Sequence, residues 1–382
     1  MRMKKRKHLA LLVKPVSGLC NMRCSYCFYA DEIGRRHGSV PSVMTEETAA
    51  ALISSAFDSV SDGGSLSFSF QGGEPSLAGL DFFRFFCDRA DRMNTRGLTV
   101  SWAIQTNGLA VDDEWAAFLK DRRFLAGVSV DGDYGTHNAF RADAAGRETF
   151  DRVQSGLQCL LRAGTETNLL CVVHARTAGA PKKVYRALKD TGIRWLQFIP
   201  CLDPLDGSRG SSPWSLTAEA YGRFLCAVFD CWYQDWLDGR RISVQPFEDW
   251  VLAAMGRPGS TCASCGNCGA YLVAEADGSL YPCDFYALDE WKLGTVSDGI
   301  TAAFDSERMK SFAARSAVRP PECRCCPWAG LCRGGCPRYW VVHEKEPGNV
   351  LCPALQRFFS YASDRIRLIA RYSRQVPQRS PG

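Results

Sequence analysis

The chain of 382 residues carries a net charge of +5, with 46% hydrophobic and 23% charged residues, the balance of a globular protein able to bury about three quarters of its unfolded surface. No apolar run approaches the ~20 residues of a membrane span, and "LALLV", after the basic start, falls short of the ~7–15 residues of a signal peptide, so a cytoplasmic protein without membrane partners is expected. So mild a charge implies no nucleic-acid partner, and nineteen cysteines without a secretory signal read as metal ligands or catalysts rather than disulfides.

In chain order, the basic "MRMKKRKH" reads as a solvated tail or strand approach. Six β-rich runs follow: "LALLV" (9–13), "LSFSF" (66–70), "VSWAI" (100–104), "LAGVSV" (125–130), "NLLCVV" (168–173) and "RWLQFI" (194–199). Amphipathic stretches predict helices at about 45–60, 79–95, 112–120, 149–163, 180–191 and 217–237. The first opens with Thr45 before two acids, Glu46 and Glu47, which suit a helix N-terminus. Strand–helix alternation of this kind implies an α/β fold, a partial (β/α)6 barrel whose active residues sit at the C-terminal strand ends. Phe224, Phe229, Trp232 and Trp236 form a stripe suited to core packing.

Past "LDGRR" (237–241) the character changes, which predicts one domain over 1–240 and a second over 241–382. Cysteines gather between 262 and 352, "YLVAEADGSLYPCDF" reads as a β-hairpin turning at Asp277 and Gly278, and "PALQRFFSYASDRIRLIARY" reads as a closing helix. The last residues, "SRQVPQRSPG", look like a frayed terminus.

Cysteine spacing carries the chemistry. Cys20, Cys24 and Cys27 form C-x-x-x-C-x-x-C, one ligand short of a full cage. Three thiolates can hold three irons of a four-iron, four-sulfur cluster and leave the fourth iron open to a chelating ligand. Eight more cysteines, Cys262, Cys268, Cys283, Cys323, Cys326, Cys332, Cys336 and Cys352, match two four-thiolate cages in number; spacing leaves open which belongs to which, and zinc also suits such knots. Cys265 and Cys325 lie among them as rival ligands. Cys87, Cys159, Cys171, Cys201, Cys226 and Cys231 lie in or beside apolar runs and read as small core residues.

The first trio, with Tyr26 just before its last cysteine, resembles the signature of radical S-adenosylmethionine enzymes. "FQGGEP" (70–75), "VSVDG" (128–132) and "FRAD" with Arg141 fall where the barrel places its mouth. Together with "LLVKPVSGLCNMRCSYCFY", "QTNG", "FIPCLDPL", "DGSLYPCDFYALDEWKLG" and "CRGGC", the whole chain closely resembles anaerobic sulfatase-maturating enzymes, which carry a SPASM domain.

The resemblance implies three 4Fe-4S clusters, with auxiliary clusters on Cys262, Cys268, Cys283 and Cys336 and on Cys323, Cys326, Cys332 and Cys352. It implies S-adenosylmethionine contacts at Tyr26, Gly73, Ser129, Arg141 and Leu202. The implied activity is oxidation of a cysteine or serine to Cα-formylglycine in a sulfatase polypeptide bearing C/S-x-P/A-x-R. A low-potential donor such as flavodoxin or ferredoxin would supply electrons. Asp284, directly after Cys283, equally suits turn capping on its residues alone; the resemblance makes it the base that takes the substrate proton. The competing function within the same architecture is modification of another ribosomal peptide, for instance by a thioether crosslink.

Overall fold

In the computed structural model, which describes residues 5–37, 42–343 and 346–375, the six β-rich runs become six strands. They are β1 (Arg6–Val13), β2 (Val60–Phe70), β3 (Thr99–Thr106), β4 (Phe124–Ser129), β5 (Thr167–Val173) and β6 (Trp195–Pro200), and they pair in parallel in chain order. The start of the basic tail and the end of the frayed terminus, residues 376–382, lie outside the described residues.

Alternation in "LSFSF" sorts the two faces of the sheet. Leu66, Phe68 and Phe70 are fully buried, whereas Ser65, Ser67 and Ser69 are half-buried, and Ser67 hydrogen-bonds Ser101 of β3 at 2.7 Å. A barrel of this kind keeps apolar residues toward its covering helices and polar ones toward its interior. Phe70 packs against Phe83 and Phe86 at ring distances of 4.9 and 5.0 Å.

A helix the sequence reading did not expect, α1 (Phe28–Arg35), follows the cysteine trio; the six predicted intervals become α2 (Glu46–Ser59), α3 (Leu80–Met93), α4 (Asp113–Asp121), α5 (Phe150–Ala163), α6 (Pro181–Asp190) and α7 (Ala218–Leu237). Thr45 caps α2, its hydroxyl accepting from the Thr48 amide at 3.2 Å. The aromatic stripe of α7 is core: Phe224, Phe229 and Trp232 are buried, and Trp236 packs on Tyr372 at 5.4 Å. Of the six cysteines read as core, Cys87, Cys171 and Cys201 are buried and Cys159, Cys226 and Cys231 are half-buried.

The second region is built onto the first through its helices and through both edges of the sheet. Its helices α8 (Gln245–Ala254) and α9 (Cys352–Gln375) pack with α7, and the Phe358 ring lies 5.5 Å from Phe229 and 4.6 Å from Trp250. The edge strand β7 (Ser243–Val244) pairs with β6. The hairpin is real, with strands β8 (Leu272–Ala274) and β9 (Ser279–Tyr281), and it gains a third strand, β10 (Gly294–Thr295). Unforeseen from the sequence, β8 pairs in parallel with β1, so one sheet runs β10-β9-β8-β1-β2-β3-β4-β5-β6-β7.

Because Phe70 anchors the contact between sheet and helices, Phe70→Ala should lower stability by about 3–5 kcal/mol, seen as a lower urea midpoint. An unchanged midpoint would mean that α3 does not depend on this contact.

Candidate active site

The trio Cys20, Cys24 and Cys27 occupies the loop entering α1, with Cys27 immediately before the helix. Its floor is the loop after β2. A Cβ on Gly73 would stand 1.9 Å from the Leu19 carbonyl oxygen, so the cysteine loop and the "GGE" turn touch through a position only glycine can fill. Next to it, buried Glu74 accepts from the Ser76 amide at 3.1 Å, the Thr106 hydroxyl at 2.7 Å and the Asn107 amide at 2.7 Å. Asn107 in turn points its Nδ2 at the Cys20 sulfur, 3.8 Å away. Burial raises the Cys20 thiol, and it pushes Cys24 up to about 12 while Arg141 pulls in the opposite direction.

Arg141 belongs to a second group centred on Asp131, which is fully buried. Arg141 donates from Nε to Asp131 at 2.8 Å, and its Nη1 lies 3.9 Å from the Cys24 sulfur. The Tyr26 hydroxyl and the Val172 amide also donate to Asp131. Burial alone would raise this carboxyl, but Arg141 and His174 hold it well below the usual carboxylate range. Burial likewise pushes His137 down to about 3, so it stays neutral beside Arg141. Ser129 ends β4 and accepts from Gln105 at 3.1 Å, and Leu202 is buried just past β6. Tyr26, Gly73, Ser129, Arg141 and Leu202 thus lie on the cysteine loop or on segments at and after the C-terminal ends of strands.

The third group crosses from barrel to hairpin. Asp284, almost fully buried, has its Oδ1 2.7 Å from the Lys14 ammonium and accepts at Oδ2 from Gln71 at 3.1 Å. Lys14 and Gln71 each stand one residue beyond their strands, β1 and β2. The Asp284 amide donates to the Tyr271 hydroxyl at 3.3 Å, and that hydroxyl lies 3.6 Å from the Cys283 sulfur. Glu32 on α1 faces the same region, and burial raises its carboxyl well above the usual range.

The remaining thiols sort into two sets. Cys323, Cys326, Cys332 and Cys352 line one narrow cleft with Trp328 and Phe359. Burial pushes Cys332 up to about 11, and the neighbouring Cys323, Cys352 and Cys326 add to it. Burial pushes Cys336 up to about 12, with Cys262 and Cys268 adding, while Cys283 feels Cys336 in turn. Cys265 turns its sulfur to the Gly259 carbonyl, 3.3 Å away, and Cys325 is exposed.

Clustered, half-buried thiols fit metal–sulfur clusters, because binding relieves the cost of holding sulfur ligands together away from water. Among the described residues no three His, Cys, Asp or Glu side chains converge as a single ion requires. A polynuclear cluster, with each thiolate on a different iron, makes no such demand.

Lys14, Tyr29, Gln71, Glu74, Asn107 and Glu275 were missed as site residues when the sequence was read alone. Gln71 and Glu74 sit on either side of the glycine pair in "FQGGEP", Asn107 sits in "QTNG", and Lys14 and Tyr29 lie within "LLVKPVSGLCNMRCSYCFY", so the motifs held a signal for these five; nothing local marked Glu275.

A parallel barrel with a three-thiol loop at its mouth and a cysteine-rich extension defines the radical S-adenosylmethionine class. A family model for the radical SAM superfamily matches residues 15–192, and one for an iron–sulfur cluster-binding domain matches 259–327. The chain is 37% identical to the cysteine-type anaerobic sulfatase-maturating enzyme of Clostridium novyi, over 96% of this chain and 98% of that one. It is 29% identical to the serine-type enzyme of Bacteroides thetaiotaomicron, over 94% and 90%. A solved structure described as native anSMEcpe with bound AdoMet and Cp18Cys peptide superposes with a TM-score of 0.90 at 37% identity, covering 96% of this chain and 99% of that one. The chain belongs to the anaerobic sulfatase-maturating enzymes.

Gly73→Ala should force the cysteine loop off its floor and cost one cluster in three. Iron in anaerobically reconstituted protein should fall from about twelve to about eight per chain; a full complement would show that the loop tolerates the displacement.

Proposed function

We propose that this enzyme converts a cysteine of a sulfatase polypeptide, within C-x-P-x-R, to Cα-formylglycine, with Asp284 as the base. The cysteine-type preference rests on the higher identity to the cysteine-type relative than to the serine-type one. The observation that carries the reading is the position of Asp284: a buried carboxylate held at the barrel mouth by Lys14 and Gln71, directly after a thiol of the nearer auxiliary set.

Oxidising a cysteine side chain to a thioaldehyde removes a hydrogen atom from Cβ, a proton from sulfur and an electron. When bound, the clusters and S-adenosylmethionine supply the hydrogen-abstracting radical and a destination for the electron, with Cys20, Cys24 and Cys27 holding the first cluster. Gly73, Ser129, Leu202, Tyr26 and Arg141 would hold S-adenosylmethionine, Arg141 being a cation suited to a carboxylate and fixed by Asp131. Asp284 takes the thiol proton. Water then converts the thioaldehyde to the aldehyde with release of hydrogen sulfide. Cys262, Cys268, Cys283 and Cys336 would hold one auxiliary cluster and Cys323, Cys326, Cys332 and Cys352 the other, and four thiols each would leave no iron free for substrate. Residues 1–240 form the radical domain and 241–382 the auxiliary-cluster domain. A low-potential flavodoxin or ferredoxin serves as electron donor. Among the described residues no helix is long and apolar enough to cross a membrane.

Anaerobic incubation of a C-x-P-x-R peptide with reductant and S-adenosylmethionine should yield an aldehyde by mass spectrometry, faster than the serine peptide does. Release of 5′-deoxyadenosine without an aldehyde would favour modification of a different peptide. Asp284→Asn should still release 5′-deoxyadenosine while losing aldehyde by about 100-fold or more; a normal yield would remove Asp284 from the scheme.

A further inference from the structure

Lys14 is fully buried where β1 ends. An ammonium in that position is costly unless paired, and this one faces two carboxylates. Its Nζ lies 2.7 Å from Asp284 Oδ1 and 3.7 Å from Glu275 Oε1, and 3.5 Å from the centre of the Tyr29 ring.

The two carboxylates are not equivalent. Glu275 is well supplied: it accepts from the Ser17 hydroxyl and from the Tyr29 hydroxyl at 2.7 Å, and it pairs with Arg36 at 3.0 Å. It has a cation of its own and does not need Lys14 for neutralisation. Asp284 has only Gln71, at Oδ2, and Lys14, at Oδ1. Lys14 approaches Oδ1 at 2.7 Å, and among the described residues no second donor reaches that oxygen. A carboxylate oxygen has two lone pairs, so a single cation on Oδ1 leaves the other open.

We propose that Lys14 is the positioning residue of the base. Held beside Glu275 and over Tyr29, it fixes Asp284 Oδ1 at the barrel mouth with a lone pair free to take the substrate thiol proton, the S–H bond breaking as the O–H bond forms. Gln71 fixes the other oxygen, so the carboxylate cannot rotate away. The inference rests on Asp284 being the base.

The test uses full-length, cluster-loaded enzyme and the C-x-P-x-R peptide. Lys14→Met should load iron as the wild type does and keep the KM for peptide within about twofold. Its kcat for aldehyde should fall about 100-fold, with 5′-deoxyadenosine released in excess over aldehyde. A purely structural lysine would not produce that split. Lys14→Gln, which restores polarity without charge, is the second variant should Lys14→Met load poorly, and it should show the same uncoupling. Wild-type kcat and coupling in either loaded variant overturns the proposal, as does loss of iron from both, which would assign Lys14 to the fold. Failure of the wild type to make aldehyde overturns the functional reading and the proposal together. Aldehyde from wild type with normal coupling in Lys14→Met overturns only the role of Lys14.

Discussion

One backbone pairing organises the molecule: β8 of the auxiliary region lies parallel to β1, Leu11 opposite Leu272 and Val13 opposite Ala274. The ladder extends past the strands, with the Lys14 amide donating to the Ala274 carbonyl at 2.8 Å. Register is strict where faces are buried, since a slip by one residue would turn Leu11 and Val13 out of the core. That register sets Lys14 beside Glu275, and the turn that follows returns the chain to Cys283 and Asp284. Residues roughly 260 apart in sequence thus become one buried polar group.

Electrostatics then differentiates the three groups at the mouth. Asp131 gathers Arg141, Tyr26 and His174 and stays ionised in spite of complete burial, which pins the guanidinium beside Cys24. Glu74 spends both oxygens on backbone and side-chain donors from two loops, and so acts as a brace beneath the cysteine loop. Asp284 is the least saturated of the three, and it borders a cysteine of the nearer auxiliary set. A fully satisfied carboxylate can hold structure; a partly satisfied one can accept a proton.

The auxiliary region packs closely onto α7 through an aromatic cluster. Phe358 wedges among Phe229, Phe247 and Trp250, and Gly222 on α7 lets Ala354 approach closely: a Cβ there would lie 3.2 Å from the Ala354 Cα. Helix α9 begins at Cys352, so the same helix that seals the core presents a thiol to the outer cleft.

Local pattern alone determined a good deal. The β-rich runs announced all six barrel strands, and the cysteine spacing announced a trio with one metal position open and thiols enough for two further cages, because strand pleating and thiol clustering both show in a few neighbouring residues. The cysteine trio, "FQGGEP" and Asp131 were visible for the same reason. What only the tertiary structure decided is long-range: that β8 docks on β1 and that Lys14 meets Asp284. Lys14 lies within a motif of the resemblance, but the composition and periodicity around it are those of any strand-end lysine, since its burial and its partners arise from a sheet register that no short stretch of sequence encodes.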